Sequence, residues 1–327
     1  MMDVLMNIFE QAIHQEKDEI HENGWHLKRI YGGMNGIIYR ADNSTASSPI
    51  AIKMRKRGER YRALREFNAL KLLDDLSIPI APKPIALYPD RPLLEGDVVI
   101  SNWVEGDVLH NLSDAPFHLW ENILTTFSKF HAIQHTNHHP ILESVSQTRS
   151  TENVLIDIEA RYAQLPEGQL GQITKNDIRN IIDEYKKNRP PNLPPATYIS
   201  LITCDANPNN MIYHHGNITL IDWENSGWGD PASDIADLLI RPNCATLPDD
   251  MKQKIIRRYA QMMNLPELEA RIIAYEYPML IVWLILSSRG FGNTLSNRFK
   301  GIRTFTLEQT LKQQADYLHR IERVKNR

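Results

Sequence analysis

Short apolar runs dominate the first part of the chain. Runs of this length, separated by glycine, proline and small polar residues, predict β-strands, and we expect five of them, over residues 25–31, 37–41, 50–54, 85–88 and 97–102. Apolar residues at helical spacing predict a leading helix over 2–22 and a second helix over 59–76, which ends before Pro79. Together these elements predict a small five-stranded antiparallel sheet with an inserted helix.

Helical periodicity dominates the second part of the chain. We expect helices over 119–134, 153–162 and 176–187, and almost continuous helix over 231–325. The stretch 203–222 differs, because it has the pattern of a strand, a polar loop and a hairpin. The change of pattern favours an α+β fold of two lobes. We expect the first lobe over residues 1–102, a hinge over 103–106 and a larger helical lobe over 107–327.

Composition narrows the class of protein without identifying it. The 327 residues are 42% hydrophobic and 24% charged, with a net charge of −3, so no basic excess points to a nucleic-acid partner. The most apolar run, 279–286, is shorter than the roughly 20 residues that cross a membrane, and the N-terminus has no signal-peptide pattern. The two cysteines form no metal or disulfide pattern. We expect a cytoplasmic protein without a membrane partner, and a monomer and a homodimer both stay open.

Three polar residues in the stretch 203–222 have a spacing that suggests phosphoryl transfer. Asp205 would orient an attacking hydroxyl and accept its proton, since one carboxylate can do both. Asn210 and Asp222 would supply oxygen ligands to Mg²⁺. The alternative is that all three residues cap turns, which Asp and Asn favour. The residues upstream decide between these interpretations.

Lys53 lies in the middle of an otherwise apolar predicted strand. A lysine there either faces solvent or points inward and needs an acidic partner. We expect it to contact nucleotide phosphates while it pairs with Glu66 on the following helix, with Glu59 as the alternative acid. This pair, ahead of Asp205 in the chain, strengthens the interpretation of 203–222 as a catalytic stretch.

Two segments are candidates for binding a nucleotide. Gly32, Gly33 and Gly36 would let the backbone approach phosphate closely, although an ordinary hairpin turn explains these glycines equally well. An adenine ring would bind to the backbone around Ser101 to Trp103, a segment chosen by its position alone.

The order of these features resembles the aminoglycoside phosphotransferase and choline kinase family, which shares the protein-kinase-like fold. Besides the residues above, the resemblance rests on Phe130-His131-Ala132-Ile133 and on the block over 229–238. It implies a phosphotransferase that uses ATP or GTP with Mg²⁺ and acts on a hydroxyl of a small molecule. It also implies that Asp234 braces the catalytic loop. The short connection from Asp222 to Pro231 leaves no room for the long activation segment of protein kinases.

The sequence departs from the family around the catalytic residue. Thr203 and Cys204 stand where the family has His-Gly, Asn207 replaces a second His, and Asn209 replaces a Gly. Thr203 retains a hydroxyl that can donate a hydrogen bond to support the loop. These departures also motivate an alternative, a degenerate kinase fold that binds a nucleotide or metabolite without turnover.

The acceptor is the least defined part of the prediction. An aminoglycoside-like antibiotic is the family default, and choline or another amino alcohol, a sugar or another metabolite is the alternative. Glu224 and Asp230 are the candidate acids for a cationic substrate, whereas we expect Glu276 to be an ordinary surface residue.

Overall fold

A computed structural model describes residues 2–31, 36–45, 48–136, 138–145, 148–189, 194–289 and 306–325. Within these ranges the chain forms a sheet-containing lobe followed by a mainly helical lobe. The segment 103–106 has no regular structure and joins the last strand of the first lobe to a short strand of the second. We propose that this connecting segment is the hinge.

The first lobe is built on one antiparallel sheet. Its helices are α1 (Met2–His14) and α2 (Arg62–Asp75), and its strands are β1 (Glu19–Glu22), β2 (Trp25–Ile30), β3 (Gly36–Asn43), β4 (Ile50–Lys56), β5 (Pro84–Tyr88) and β6 (Gly96–Asn102). The strand order is β1-β2-β3-β4-β6-β5. Every neighbouring pair is antiparallel.

The prediction of five strands and of a leading helix over 2–22 was wrong for the residues after His14. The sheet has six strands, because α1 ends at His14 and Glu19–Glu22 pairs with β2. The polar residues of β1 point outward and only Ile20 is buried. With only one buried residue, this edge strand lacks the alternation of apolar and polar residues by which a strand is recognised in a sequence.

The second lobe is mainly helical, with one three-stranded sheet and two strand pairs. Its helices are α3 (Phe117–His131), α4 (Thr151–Ala163), α5 (Lys175–Asn188), α6 (Pro231–Ile240), α7 (Asp249–Met263), α8 (Glu267–Ser288) and α9 (Leu307–Lys325). Its strands are β7 (Asp107–Val108), β8 (Gln169–Leu170), β9 (Ile173–Thr174), β10 (Ser200–Ile202), β11 (Met211–His214), β12 (Asn217–Leu220) and β13 (Gly227–Gly229). The three-stranded sheet has the order β12-β11-β7, and the two strand pairs are β10-β13 and β8-β9. The predicted hairpin near 215–217 is formed by β11 and β12.

The two lobes have separate cores, but α2 contributes to the second. The core of the first lobe lies between α1 and the sheet, where Leu5, Phe9 and Ile52 are fully buried. Leu70 and Leu73 of α2 pack with the core of the helical lobe. The helix that carries Glu66 is therefore in contact with both lobes.

One described helix, α8, is long and apolar enough to cross a membrane by length and composition. Its most apolar 18-residue window has a mean hydropathy of 1.4, and half of that window is buried inside the protein. A core helix of a soluble protein meets the same criterion, so α8 is weak evidence for a membrane span. In this fold it packs against α4, α6 and α9.

Candidate active site

Asp205 lies in the loop between β10 and β11, at the boundary of the two lobes. Its side chain is 22% exposed, and its Oδ1 accepts a hydrogen bond from Arg241 Nη2 at 2.5 Å. Burial raises the pKa of Asp205 to about 6; the positive charge of Arg241 opposes this shift, and Asp237 and Asp222 add to it. The predicted catalytic carboxylate is thus accessible and is a stronger proton acceptor than an ordinary aspartate.

Arg241 holds this carboxylate from the end of α6 and was not predicted. Its guanidinium is almost fully buried, bonds to Asp237 Oδ2 at 2.6 Å and stacks on Trp283 at 3.8 Å. Asp237 also accepts from the Ala206 backbone N–H and from Trp283 Nε1. Because several groups fix Arg241, Arg241 fixes the orientation of Asp205.

Asp234, in the first turn of α6, braces the residues before Asp205. Its carboxylate accepts from the Thr203 N–H at 2.7 Å, from Thr203 Oγ1 at 2.9 Å and from the Cys204 N–H at 3.0 Å. His131 Nε2 lies 3.4 Å from the same carboxylate. Thr203 therefore makes a hydroxyl contact at the position where the family has histidine.

The other departures form local hydrogen bonds in the same loop. The Asn207 side chain accepts from the Asn209 backbone N–H at 3.0 Å, and Asn209 Oδ1 lies 3.1 Å from His110 Nδ1. Cys204 has φ of 55°, in the left-handed region that favours glycine. This conformation explains physically why a glycine suits the position that Cys204 occupies.

The candidate metal ligands Asn210 and Asp222 flank the hairpin, directly before β11 and two residues after β12. Asn210 donates its amide to the Asp205 carbonyl at 3.4 Å, which turns its Oδ1 away from that carbonyl, and the Ile221 N–H donates to the Asn210 carbonyl at 2.9 Å. Asp222 is 26% exposed and has φ of 68°, a strained conformation of the kind found at functional sites. An amide oxygen and a partly exposed carboxylate are hard oxygen donors, so this pair fits Mg²⁺.

Lys53 points into the protein and pairs with Glu66 as predicted. Lys53 Nζ lies 2.6 Å from Glu66 Oε1, and both residues are buried. Burial raises the pKa of Glu66, but the charges of Arg55 and Lys53 outweigh that effect and lower the pKa to about 2. The solvent-facing alternative for Lys53 was wrong, and Glu59 lies in an exposed turn before α2.

Arg55 connects this pair to the hairpin. It lies two residues after Lys53 on the same face of β4, and its guanidinium bonds to Glu66 Oε2 at 2.9 Å and to Asp222 Oδ1 at 2.5 Å. It also contacts Glu224 Oε2 at 2.9 Å. The alternation that places Lys53 inward also places Arg55 inward, so the sequence did contain this signal.

The segments predicted to bind nucleotide are only partly described. Gly32 and Gly33 lie outside the described residues. Gly36 begins β3, and a Cβ there would lie 2.4 Å from the Met54 carbonyl, so close strand packing requires this glycine. Ser101 is buried at the end of β6, and the Trp103 N–H donates to the Pro49 carbonyl at 3.0 Å. Because the Trp103 N–H already has an acceptor, it is not available to a nucleotide. A nucleotide contact in this segment would have to use neighbouring backbone groups.

The candidate substrate acids do not face an open cleft, which corrects that prediction. Glu224 is 1% exposed and lies between Arg55 and Arg62. Asp230 is also 1% exposed; it caps α6 through the Ala232 N–H and bonds to Arg271 and Tyr275. Both carboxylates are already paired, so neither is placed to bind a cationic substrate.

Glu276 lies apart from these residues, at a cavity of about 250 Å³ between α6, α7 and α8. Lys252 lines the same cavity, and none of the candidate catalytic residues lines it. Glu276 is thus half-buried beside this cavity and not an ordinary surface residue.

Comparison with known proteins identifies the family. The model of the phosphotransferase enzyme family matches residues 42–271, which is most of the chain. The chain therefore belongs to this family, and it is a phosphotransferase of the class that acts on small molecules. Among curated proteins, none matches the sequence.

Solved structures confirm the predicted kinase-like fold at low sequence identity. Choline kinase from Cryptosporidium parvum has a TM-score of 0.65 at 15% identity. The match covers 100% of this chain and 97% of the choline kinase chain. A putative aminoglycoside phosphotransferase from Ralstonia eutropha has a TM-score of 0.63 at 13% identity, covering 98% of both chains. A ternary complex of aminoglycoside phosphotransferase APH(4)-Ia with ADP and hygromycin B has a TM-score of 0.58 at 13% identity, covering 97% of both chains.

Proposed function

We propose that the protein transfers the γ-phosphoryl group of ATP or GTP to a hydroxyl of a small molecule. The observation that carries the proposal is the meeting of two groups of residues at the lobe boundary. Asp205, Asn210 and Asp222 come from one lobe, and the Lys53–Glu66 pair comes from the other and is joined to them by Arg55. A similar fold in a complex with ADP and hygromycin B supports the use of a nucleotide.

In this mechanism Asp205 orients the acceptor hydroxyl and takes its proton. The hydroxyl oxygen forms a bond to the γ-phosphorus while the bond from that phosphorus to the β–γ bridging oxygen breaks, which gives a phosphate monoester and a nucleoside diphosphate. Lys53, held by Glu66, contacts the nucleotide phosphates. Mg²⁺, held by Asn210 and Asp222, would neutralise charge on the phosphate oxygens.

The acceptor class remains part of the proposal. The family default, an aminoglycoside-like antibiotic, and the alternatives, choline, another amino alcohol or a sugar, all carry a hydroxyl that Asp205 could activate. The two carboxylates expected to bind a cation are both buried against arginines, which gives no support to a cationic acceptor. A cytoplasmic location, the lack of a nucleic-acid or membrane partner, and a monomeric or homodimeric state stay predictions.

The test is a screen of hydroxyl compounds with ATP or GTP and Mg²⁺, in which mass spectrometry detects the addition of one phosphoryl group. We expect at least one acceptor to be converted by the wild type. Asp205→Ala should lose about 10²–10⁴-fold in rate, because it removes the proton acceptor. Equal rates in the two proteins would contradict the role of Asp205. Nucleotide binding without any phosphorylated product would favour the alternative of a non-catalytic binding protein.

A further inference from the structure

Three side chains that can bind a metal lie close together on the hairpin of β1 and β2. His26 Nε2 lies 2.6 Å from Glu19 Oε1, and His21 Nε2 lies 3.7 Å from the same oxygen. The two imidazole rings are stacked, with their centroids 4.0 Å apart and an angle of 5° between their planes. One ligand atom from each of the three side chains lies within 4.8 Å of the other two. Two imidazole nitrogens and a carboxylate oxygen are thus available to a single ion.

The register of the hairpin produces this arrangement. The chain turns at Asn23 and Gly24, whose φ values of 49° and 78° are those of the two-residue turn that joins antiparallel strands tightly. In this register His21 lies directly opposite His26. Glu19 lies two residues before His21 and therefore on the same face of the sheet. The three side chains are brought together by strand pairing and not by a flexible loop.

The opposite face of the hairpin is buried, which keeps the three ligands at the surface. Ile20 lies opposite Leu27, and both belong to the core between α1 and the sheet. Because side chains alternate along a strand, the three ligands point away from this core. The side chain of His21 is 70% exposed, that of Glu19 53% and that of His26 33%. An ion can therefore reach the ligands from solvent while the sheet stays folded.

The ligand types and distances suit a divalent transition metal. Zn²⁺ binds imidazole nitrogen and carboxylate oxygen at about 2.0–2.2 Å, so the ligand atoms of a tetrahedral site lie roughly 3.3 Å apart. The two distances to Glu19 Oε1 lie on either side of this value, and small side-chain rotations would equalise them. Imidazole ligands favour transition metals, whereas Mg²⁺ takes oxygen ligands. Both histidines also line a cavity of about 570 Å³, from which water can supply the fourth ligand.

We propose that Glu19, His21 and His26 form a binding site for a divalent transition metal ion, which fastens β1 to β2. Glu19 and His21 belong to β1 and His26 to β2, so one ion joins the two strands. β1 is an edge strand of four residues with one buried side chain, and packing alone holds it weakly. β2 and β3 separate this hairpin from β4, which carries Lys53, so the site is independent of the proposed kinase function.

The first experiment measures Zn²⁺ binding by calorimetry. The protein is first treated with a chelator and then kept in excess Mg²⁺, so that sites made of oxygen ligands are filled. We expect the wild type to bind one Zn²⁺ per chain. His21→Asn and Glu19→Gln should each weaken this binding at least about tenfold, because even the loss of a group that only supports a ligand has an effect of that size. Both side chains are exposed, so both variants should fold.

His214→Asn is the matched control for this measurement. His214 and His215 also form an exposed ring pair on a hairpin, with centroids 4.1 Å apart. Among the described residues, no three-ligand group includes either of them. His214→Asn should therefore bind Zn²⁺ as the wild type does. Absence of Zn²⁺ binding in the wild type, or equal affinity in the wild type and His21→Asn, would overturn the proposal, and the second result would show adventitious binding only.

The second experiment tests whether the ion fastens β1. Hydrogen exchange of the backbone amides over 19–22 is followed in the full chain with and without Zn²⁺. An ion that binds only the paired strands suppresses their separation about 100-fold when its concentration is about 100 times Kd. We therefore expect exchange at least about tenfold slower in the wild type and in His214→Asn, and no change in His21→Asn. Zn²⁺ binding that leaves this exchange unchanged would overturn the proposed role of the ion in holding β1.

Discussion

At the scale of single residues, the contact between Asp205 and Arg241 determines how the candidate catalytic carboxylate behaves. Burial and the nearby carboxylates favour the protonated form of Asp205, whereas Arg241 favours the ionised form. The balance places the pKa of Asp205 at about 6, close enough to neutral for efficient proton transfer and low enough for ionisation at pH 7.

This balance predicts the pH dependence of the reaction. Because the ionised form accepts the proton, kcat/KM should fall as the pH is lowered through about 6. Arg241→Gln removes the group that lowers the pKa of Asp205, so the acidic limb of the profile should move to higher pH. Steady-state rates between pH 5 and 8 measure both effects. Arg323→Gln, which changes an arginine that pairs with Asp249 at the surface, should leave the limb unchanged. A limb that stays in place in Arg241→Gln would contradict the assigned role of Arg241.

Part of the candidate site could be predicted from the sequence, namely the residues that stand out by their spacing or by their place in a strand. Asp205, Asn210 and Asp222 are recognisable because they lie close together in the sequence at a suggestive spacing. Lys53 is recognisable because it interrupts an apolar strand. The alternation along β4 indicates that Arg55 points inward, but the sequence does not identify the partners of Arg55 or Arg241, because these partners lie on distant segments. Glu224 and Asp230 were misassigned for a related reason, because a sequence does not show which arginines will cover a carboxylate.

At the scale of elements, the candidate catalytic loop is held by the first turns of α6. Asp234 binds the two residues before Asp205, and Asp237 binds the residue after it. The block over 229–238 was predicted to brace the loop, and the hydrogen bonds provide a physical means to do so. The hydrophobic pattern of the sequence predicts the hairpin, α2 and the long helices. It does not predict β1, because β1 is a strand only through its pairing with β2.

The loop conformation predicts the effect of restoring a glycine at position 204. Cys204 has φ of 55°, where a residue with a Cβ is strained by roughly 1–2 kcal/mol. Cys204→Gly should therefore be more stable than Cys204→Ala by about 1 kcal/mol, although glycine loses more backbone entropy on folding. Urea unfolding of the two variants measures the difference, and both lack the thiol, which makes them a matched pair. If Cys204→Ala were the more stable variant, residue 204 would not have the left-handed conformation assigned to it.

At the scale of the whole molecule, Arg55 is a buried charged link between the lobes. It lies on β4 of the first lobe, is 1% exposed, and contacts Asp222 and Glu224 of the second lobe as well as Glu66. The attraction of three carboxylates raises the pKa of Arg55 despite its burial. This ion cluster therefore joins the lobes in addition to the connecting segment 103–106 and the packing of α2.

This arrangement predicts a large loss of stability when Arg55 is removed. Arg55→Met leaves the buried Glu66 and Glu224 with fewer compensating charges, so the free energy of unfolding should fall by about 3–5 kcal/mol. Arg258→Met is the control, because Arg258 is 41% exposed and pairs with Glu121 at the surface; it should cost no more than about 1 kcal/mol. Urea unfolding measures both values, and similar losses in the two variants would contradict the buried link.

The most direct measurement of the central claim is a single-turnover transfer experiment on Asp205. Rapid-quench kinetics with excess enzyme, labelled nucleotide, Mg²⁺ and an acceptor found in the screen would compare the wild type with Asp205→Asn. We predict unchanged nucleotide affinity, since Lys53, Asn210 and Asp222 are retained, and a transfer step slower by about 10²–10⁴-fold. A transfer step of equal rate, with equal nucleotide affinity, would show that Asp205 is not the catalytic carboxylate.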